Sequence, residues 1–479
     1  MKLYELFGYD RHGTVSELNT ALSKGKLGTK DVSFSALGFN APAWVAASSM
    51  SILYSISGHQ APLAILIAFF FPMLVLAVCM VSLTRQAPSA GGIFTFCSRF
   101  LHPDIGCILG WTYAVACIAV TPMCALIGSE YIQALIPSLA GEFNAKIIGT
   151  LLIVTFFAVS VRGVGVTAKL ASTFLIFEIA VVAGLGFMGL IHPQVENLSF
   201  ASMYSLQDAG GLAAIGPGVL FGVWMLANFD SAINYIEEAR VPVRTVQRSL
   251  LIVLTSAFVI YSLAAIGWQY AVPVEHLASI VENGNGGPIA AVANVYLPPA
   301  MAWLALFVVI TSACAGLQIS SNSSARTLYR MSEEGHLPGA FSAVNRFKAP
   351  WFTLGLVSLL GIALLWWKPL DKIVWYYDVV TITLVLSYIS ALAAFMVMTW
   401  KQHKALTATL LSIPALLALL VLAYIGYTAG ANPVSPDDLY TAWYLGALSL
   451  LSGALIVLSG KRRRKGASFT VNSSAFTQE

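Results

Sequence analysis

The chain has 479 residues, 58% of them hydrophobic and only 10% charged, with a formal net charge of +4. A soluble domain carries roughly 25% charged residues, so the composition excludes an ordinary soluble protein, and so small a positive balance gives no basis for nucleic-acid binding. Residues 1–31 mix Tyr4, Glu5, Arg11 and Glu17 without a short apolar core, which does not read as a signal peptide.

Twelve apolar runs predict membrane spans at 33–57, 62–84, 105–134, 146–161, 171–191, 214–235, 250–271, 299–326, 352–367, 372–398, 407–428 and 441–460. They read as helices, because backbone in lipid must hydrogen-bond internally and the runs are too long for barrel strands. The expected fold is an all-α polytopic membrane protein. It has a cytoplasmic segment (1–32), a ten-helix core (33–398), helices 11 and 12 (399–460) and a basic cytoplasmic tail (461–479). Between spans 2 and 3, "GGIFTFCSRFL" (91–101) puts Ile93, Phe96, Cys97 and Phe100 on one face, which predicts a short helix lying on the membrane surface. The six cysteines lie in or beside apolar stretches without metal spacing and read as small core residues.

Orientation follows from the basic residues. With the N-terminus inside, 23 of the 26 Lys and Arg fall in cytoplasmic segments, leaving Lys146, Lys368 and Lys372 outside. This is the positive-inside asymmetry, and it supports an even number of spans with both termini cytoplasmic.

Two spans are interrupted. Span 6 carries Asn228, Asp230 and Asn234 in its middle, within "LANFDS" and the residues just after it. A charge at the centre of a bilayer costs at least ~2.5–3.5 kcal/mol, so Asp230 is expected to face protein or water. Asn and Asp also compete with the helix for backbone groups, so the span is expected to unwind there. Span 1 carries Gly38, Asn40 and Pro42 mid-run, and proline removes a donor and disfavours helix before it. Spans 1 and 6 are five apart, so the second half of a ten-helix core enters from the opposite face. Interrupted helices at matching places in inverted halves point to a transporter's central site.

Three stretches are recognisable together. "APSAGGIFTFCSRFLHPDIGCILGW" (87–111), "FDSAINYIEEARVPVRTV" (229–246) and "SARTLYRMSEEGHLP" (324–338) resemble the motifs after spans 2 and 6 and at the end of span 8 of the amino acid–polyamine–organocation (APC) superfamily. The likeness runs along most of the first ten spans. It implies a leucine-transporter-type fold, a five-plus-five inverted repeat with two trailing helices. The span 1 sequence "FNAPA" departs from the usual Gly-Ser-Gly break, and with "TPMCAL" in span 3 it is nearest to the putrescine-importer branch.

The resemblance implies a substrate held between the two breaks, by Asn40, Ala41, Pro42 and Ala43 on one side and Ala227, Asn228, Phe229 and Asp230 on the other. Free amides at the first break would take a carboxylate, and free carbonyls at the second an ammonium. Trp224 falls at a substrate-covering position and Thr121 at a substrate-contacting one, while Tyr113 is expected to be structural. Glu178, inside "TFLIFEIAVVAG" of span 5, is either a proton relay or a hydrogen-bonded structural acid. Asp230 is the second proton candidate. Ser320 and Ser321 in span 8 offer sodium oxygens, although small polar residues also let helices approach; protons are taken as the coupling ion with sodium as the alternative. Glu237 and Glu238 are expected to pair with nearby arginines and shape an inner gate.

The expected function is a secondary carrier for an amino acid or amine, by symport or exchange, in the cytoplasmic membrane, as a monomer or homodimer. No nucleotide-binding GxxxxGK[ST] occurs, all seven histidines fall in loops or tails, and no cofactor or catalytic set is expected. The alternative from another class is a channel or membrane sensor. On the topology, a reporter fused after Gly460 is expected to read as cytoplasmic and one inserted at Asn285 as external. An external C-terminal reporter would overturn the whole map.

Overall fold

The computed structural model describes residues 21–280, 287–301, 303–367, 373–431 and 439–464. Residues 1–20 of the expected N-terminal segment, the insertion point Asn285, Lys368, Lys372 and the tail from 465 onward lie outside the described residues.

Among the described residues the structure is all-helical, with one isolated bridge between Leu27 and Ala239. Helices α1 (Thr29–Asn40) and α2 (Pro42–Ser57) form span 1. Span 2 is α3 (Ala61–Ala68) and α4 (Leu74–Gln86), joined by a π-helical turn, Phe69–Met73, that contains Pro72. A short α5 (Ile93–Phe100) precedes α6 (Pro103–Leu135), α7 (Glu142–Ser160) and α8 (Val164–Ile191). Span 6 is α9 (Leu212–Met225) followed by a 3-10 helix, Phe229–Glu238. Then come α10 (Pro242–Ala271), α11 (Val274–Ser279), α12 (Gly287–Tyr296), α13 (Trp303–Glu333), α14 (Trp351–Trp367), α15 (Ile373–Gln402), α16 (Ala405–Ala431) and α17 (Thr441–Arg464). Among the described residues, ten helical runs are long and apolar enough to cross a membrane, the first being the whole stretch Thr29–Gln86, and Trp351–Trp367 is a shorter apolar helix. The protein is therefore a multi-pass membrane protein.

Two features differ from the sequence reading. Helix α5 forms where expected, and its apolar face is covered by protein. Ile93, Phe94, Phe96, Cys97 and Phe100 are buried, and α5 lies on the start of α6, where a Cβ on Gly106 would sit 2.0 Å from Ser98 Oγ and one on Gly110 would sit 2.5 Å from Phe94 Cβ. The two glycines remove the bulk that would keep α5 out of the bundle. The connection after span 7 also holds two short helices, α11 and α12, and α12 seats Gly287 against the backbone of Ala47 in α2.

Helices α6 and α13 run along each other, α1 and α8 pack on α13, and α10 packs on α1 and α8. The contact of α8 with α10 depends on missing side chains. A Cβ on Gly189 would meet the Gly267 carbonyl at 1.9 Å, and one on Gly267 would meet the Gly186 carbonyl at 1.9 Å. Backbone cannot yield as a flexible side chain can, so overpacking here forces the helices apart at a cost of ~1–3 kcal/mol or more. Gly267→Leu is expected to lower the thermal unfolding midpoint of the purified protein clearly. Gly184→Ala in α8, whose added methyl meets nothing within 4 Å, is expected to leave it unchanged.

Candidate functional site

The site starts from the interruption of span 1. Pro42 occupies the first position of α2, where its missing N–H is harmless. It also disfavours helical geometry at the residue before it. Ala41 accordingly turns left-handed, with φ 50° and ψ 63°. The break is one residue wide. The Ala41 N–H still donates to Leu37 O at 3.2 Å, and the Ala41 carbonyl accepts from Val45 N at 2.9 Å.

That leaves the amides of Ala43 and Trp44 at the N-terminal end of α2, and both find partners on other helices. Ala43 N–H donates to Glu178 Oε2 of α8 at 3.4 Å, and Trp44 N–H to Ser312 Oγ of α13 at 3.1 Å. The Ser312 hydroxyl in turn donates to the same Glu178 oxygen at 2.7 Å. Glu178 has no solvent exposure, and its other oxygen, Oε1, has no hydrogen-bond partner. Its acidic side chain thus sits at the positive end of a helix dipole, where an anion is favoured.

Span 6 breaks differently. Helix α9 ends at Met225, and Asn228 is left-handed at φ 68°, a conformation Asn tolerates better than most residues. The chain then winds as a 3-10 helix rather than resuming as α. The carbonyls freed by this break are taken by one side chain from span 1. Asn40 Nδ2 donates to Met225 O at 2.8 Å and to Ala227 O at 2.9 Å, while Asn40 Oδ1 accepts from the Tyr261 hydroxyl of α10 at 2.6 Å.

Asp230 lies one turn on, buried at 3% exposure. Tyr388 of α15 accepts from Asn228 N–H at 2.9 Å and donates its hydroxyl proton to Asp230 Oδ1 at 2.6 Å. Ser231 Oγ closes the turn on Asn228 O at 2.9 Å. Tyr113 of α6 stands beside Asp230 and donates to Asn234 Oδ1 at 3.2 Å. Neutral donors, with no basic partner among the described residues, surround this carboxyl.

Aromatic rings cover the breaks on one side. Trp224 and Phe221 of α9 stack at 5.9 Å, and Trp224 meets Tyr377 of α15 at 5.5 Å and Trp44 of α2 at 6.3 Å. Phe229 is buried against Tyr388 with ring centroids 6.3 Å apart. The structure therefore brings Asn40, Ala41, Pro42, Ala43, Glu178, Trp224, Ala227, Asn228, Phe229 and Asp230 around two facing breaks. Thr121 makes its contacts elsewhere. Its hydroxyl lies 3.3 Å from Ser320 Oγ and 3.1 Å from Ser321 Oγ, its methyl packs toward Gly361 of α14, and both serines donate to Leu317 O. Ser312, Tyr261, Tyr377 and Tyr388 were not singled out from sequence. A single hydroxyl in an apolar run has no local signature that distinguishes a partner of a break from a packing residue.

At the far end of the 3-10 helix, the expected arginine partners come from α13 rather than from the adjoining sequence. Glu238 Oε2 accepts from Arg326 Nε at 2.8 Å and Nη2 at 2.7 Å, with both side chains 2% exposed. Arg326 also donates to Asn322 Oδ1 at 2.8 Å and lies over the Tyr235 ring. Glu237 pairs with Arg330 at 3.3 Å and accepts from Ala90 N at 3.0 Å. The backbone of Lys26 and Leu27 donates to Glu238 O, and Arg240 N–H donates to Leu27 O. The segment before α1 is thereby tied to the end of span 6.

A profile of the family described as amino acid permease matches residues 32–450. The D-serine/D-alanine/glycine transporter of Escherichia coli (strain K12) is 25% identical over 57% of this chain and 59% of its own length, so the chain spans less than two thirds of that relative. The aspartate-proton symporter of Bacillus subtilis (strain 168) is 24% identical over 78% of this chain and 72% of its own length. Solute carrier family 7 member 13 of Mus musculus is 22% identical over 66% of each.

Asn40 is the residue on which the two breaks meet. Replacing it with Leu keeps the volume but leaves two buried carbonyls unpartnered, at ~1–3 kcal/mol for each such group, and removes the side-chain acceptor of the Tyr261 hydroxyl. Asn40→Leu is expected to lower the thermal midpoint of the purified protein and to reduce uptake by reconstituted vesicles severely. An unchanged midpoint would mean that Asn40 does not hold the breaks together.

Proposed function

This chain belongs to the amino acid permease family, and from that premise we propose that it is a secondary active carrier for an amino acid or a related amine in the cytoplasmic membrane. The family and the relatives are transporters, not enzymes. The proposed architecture has twelve crossings with both termini inside, ten of them a five-plus-five inverted repeat and two trailing. The observation that carries the reading is the direct bonding of the span 1 and span 6 breaks through Asn40. Irregular backbone inside an apolar bundle is tolerated where protein or a cavity satisfies it, and two such breaks side by side form the midplane site of carriers that work by alternating access.

We take protons as the coupling ion. Glu178 and Asp230 both lie at the breaks, and neither has a basic partner among the described residues. The Bacillus subtilis relative is named a proton symporter. The carboxyl at Glu178 holds α2 only while it can accept from Ala43 and Ser312. Protonation removes part of that acceptor strength, so loading a proton and loosening the helix end are coupled events.

Sealed vesicles containing the purified protein test both parts. Saturable uptake stimulated by counter-substrate supports a carrier, and ohmic current would indicate a channel. Glu178→Gln and Asp230→Asn keep shape and remove charge. They are expected to flatten the dependence of uptake on external pH and to impair gradient-driven accumulation more than exchange. If both variants accumulate substrate with the wild-type pH profile, neither carboxyl couples, and replacing sodium by choline then tests Ser320 and Ser321.

A further inference from the structure

Span 1 is broken at Ala41, but the helix packed along it is not. Helix α10 runs unbroken for 30 residues, with its only proline at the first position. Every fourth residue from Ser249 to Gln269 lies on one ridge of that helix. These residues, Ser249, Val253, Ala257, Tyr261, Ala265 and Gln269, are all buried.

The ridge bonds to span 1 on both sides of the break. On the α1 side, Ser33 Oγ donates to Ser249 Oγ at 3.0 Å, the Ser249 hydroxyl donates onward to Thr29 O at 3.3 Å, and Tyr261 donates to Asn40 Oδ1 at 2.6 Å. On the α2 side, the Tyr54 hydroxyl donates to Ala265 O at 3.1 Å. Just past the end of α2, His59 Nδ1 lies 2.9 Å from Gln269 Oε1, and Gln269 Nε2 donates to His59 O at 3.4 Å. A helix rises about 30 Å from position 249 to position 269, so these bonds bracket the break from end to end.

Ser33, Asn40, Tyr54, Ser249, Tyr261 and Gln269 are buried. A hydroxyl or amide pulled from its partner here has no bulk water to turn to, so parting span 1 from α10 strands polar groups at several levels at once. The break itself offers little slack, since hydrogen bonds continue from Ala41 back to Leu37 and from Val45 back to Ala41. Span 6 has no such support. Apart from Trp224, no side chain of α9 carries a nitrogen or oxygen, and residues 226–228 separate α9 from the 3-10 helix. The two breaks are mechanically unequal.

We propose that α10 is a splint for span 1: α1 and α2 stay attached to it and move with it through the transport cycle, and the break at Ala41 does not act as a hinge. Ser33, Tyr54, Ser249 and Gln269 are then positioning residues that act through the helices they join. The inference rests on the carrier reading and concerns how its breaks move.

Covalent bonds in place of the hydrogen bonds test it. Ser33→Cys with Ser249→Cys sets two sulfurs where the oxygens lie 3.0 Å apart, within reach of a disulfide, and fixes α1 to α10. His59→Cys with Gln269→Cys, bridged by a short reagent that forms a disulfide at each end, fixes the end of α2 to α10. Each full-length variant is reconstituted in vesicles, and the cross-linked fraction is measured by mass spectrometry. The six native cysteines are buried, and wild-type protein treated identically is the control. Uptake of a labelled amino acid hydrolysate and of a labelled diamine is read before cross-linking, after it, and again after reduction. Cross-linked protein is expected to keep its uptake rate within about twofold of the reduced form. If one variant does not fold, the other decides. Loss of most uptake on cross-linking either pair, restored by reductant, overturns the inference and leaves the carrier reading standing. A folded Ser33→Cys/Ser249→Cys protein that forms no disulfide under oxidation overturns it as well. Wild-type protein that takes up neither class of compound saturably overturns the carrier reading and the inference with it.

Discussion

Two helices that stop inside an apolar bundle release amides and carbonyls where bulk water does not reach, and every one of them must be satisfied by the protein. The rest of the site follows from that constraint. Asn40 meets it for span 6 by bonding two carbonyls with one amide group. Glu178 and Ser312 meet it for span 1 by receiving two amides. Tyr388 bridges what remains, accepting from Asn228 and donating to Asp230. The aspartate that looks misplaced in a greasy segment is thus an acceptor that holds the first turn of a 3-10 helix, where the α-helical pattern no longer supplies one.

The same bonds make the breaks mechanically dependent on other elements. The N-terminal end of α2 is attached to α8 and α13, the end of α9 to α1, and the start of the 3-10 helix to α15. None of these attachments runs within one helix, so none of these helix ends can move without exchanging partners on another helix. The other end of the 3-10 helix is fastened more firmly. The buried pair Glu238–Arg326 carries two charge-assisted hydrogen bonds, and backbone bonding to Lys26 and Leu27 adds to it. Breaking one partner of such a pair strands a buried charge, so this end resists opening more than the breaks do.

Much of this framework was legible in the chain. Proline at position 42 fixed the span 1 break to within a residue, because one N–H is missing and the residue before is pushed from helix. The Asn and Asp of "LANFDS" marked the second break by the same logic of competing side chains. What the sequence lacked was direction. Helix α6 is apolar nearly all round, so nothing in its pattern told whether Thr121 points to the breaks or, as its contacts have it, toward Ser320, Ser321 and α14. The apolar face of "GGIFTFCSRFL" was read correctly as a face, but whether lipid or protein covers it depended on Gly106 and Gly110, residues of the next helix. The 3-10 winding after Asn228 was likewise invisible, as was which arginines face Glu237 and Glu238, since the partners lie 88 residues or more away in the chain.

Four buried carboxyls on spans 5 and 6 divide by the kind of partner they have. Glu237 and Glu238 face arginines, so their counter-charge is part of the chain and is present whatever the site contains. Glu178 and Asp230 face only hydroxyls and amides. Neutral donors orient a carboxyl and lower the cost of its charge, but they do not cancel that charge. The balancing positive charge must then come from outside the chain, as a proton or as part of a ligand.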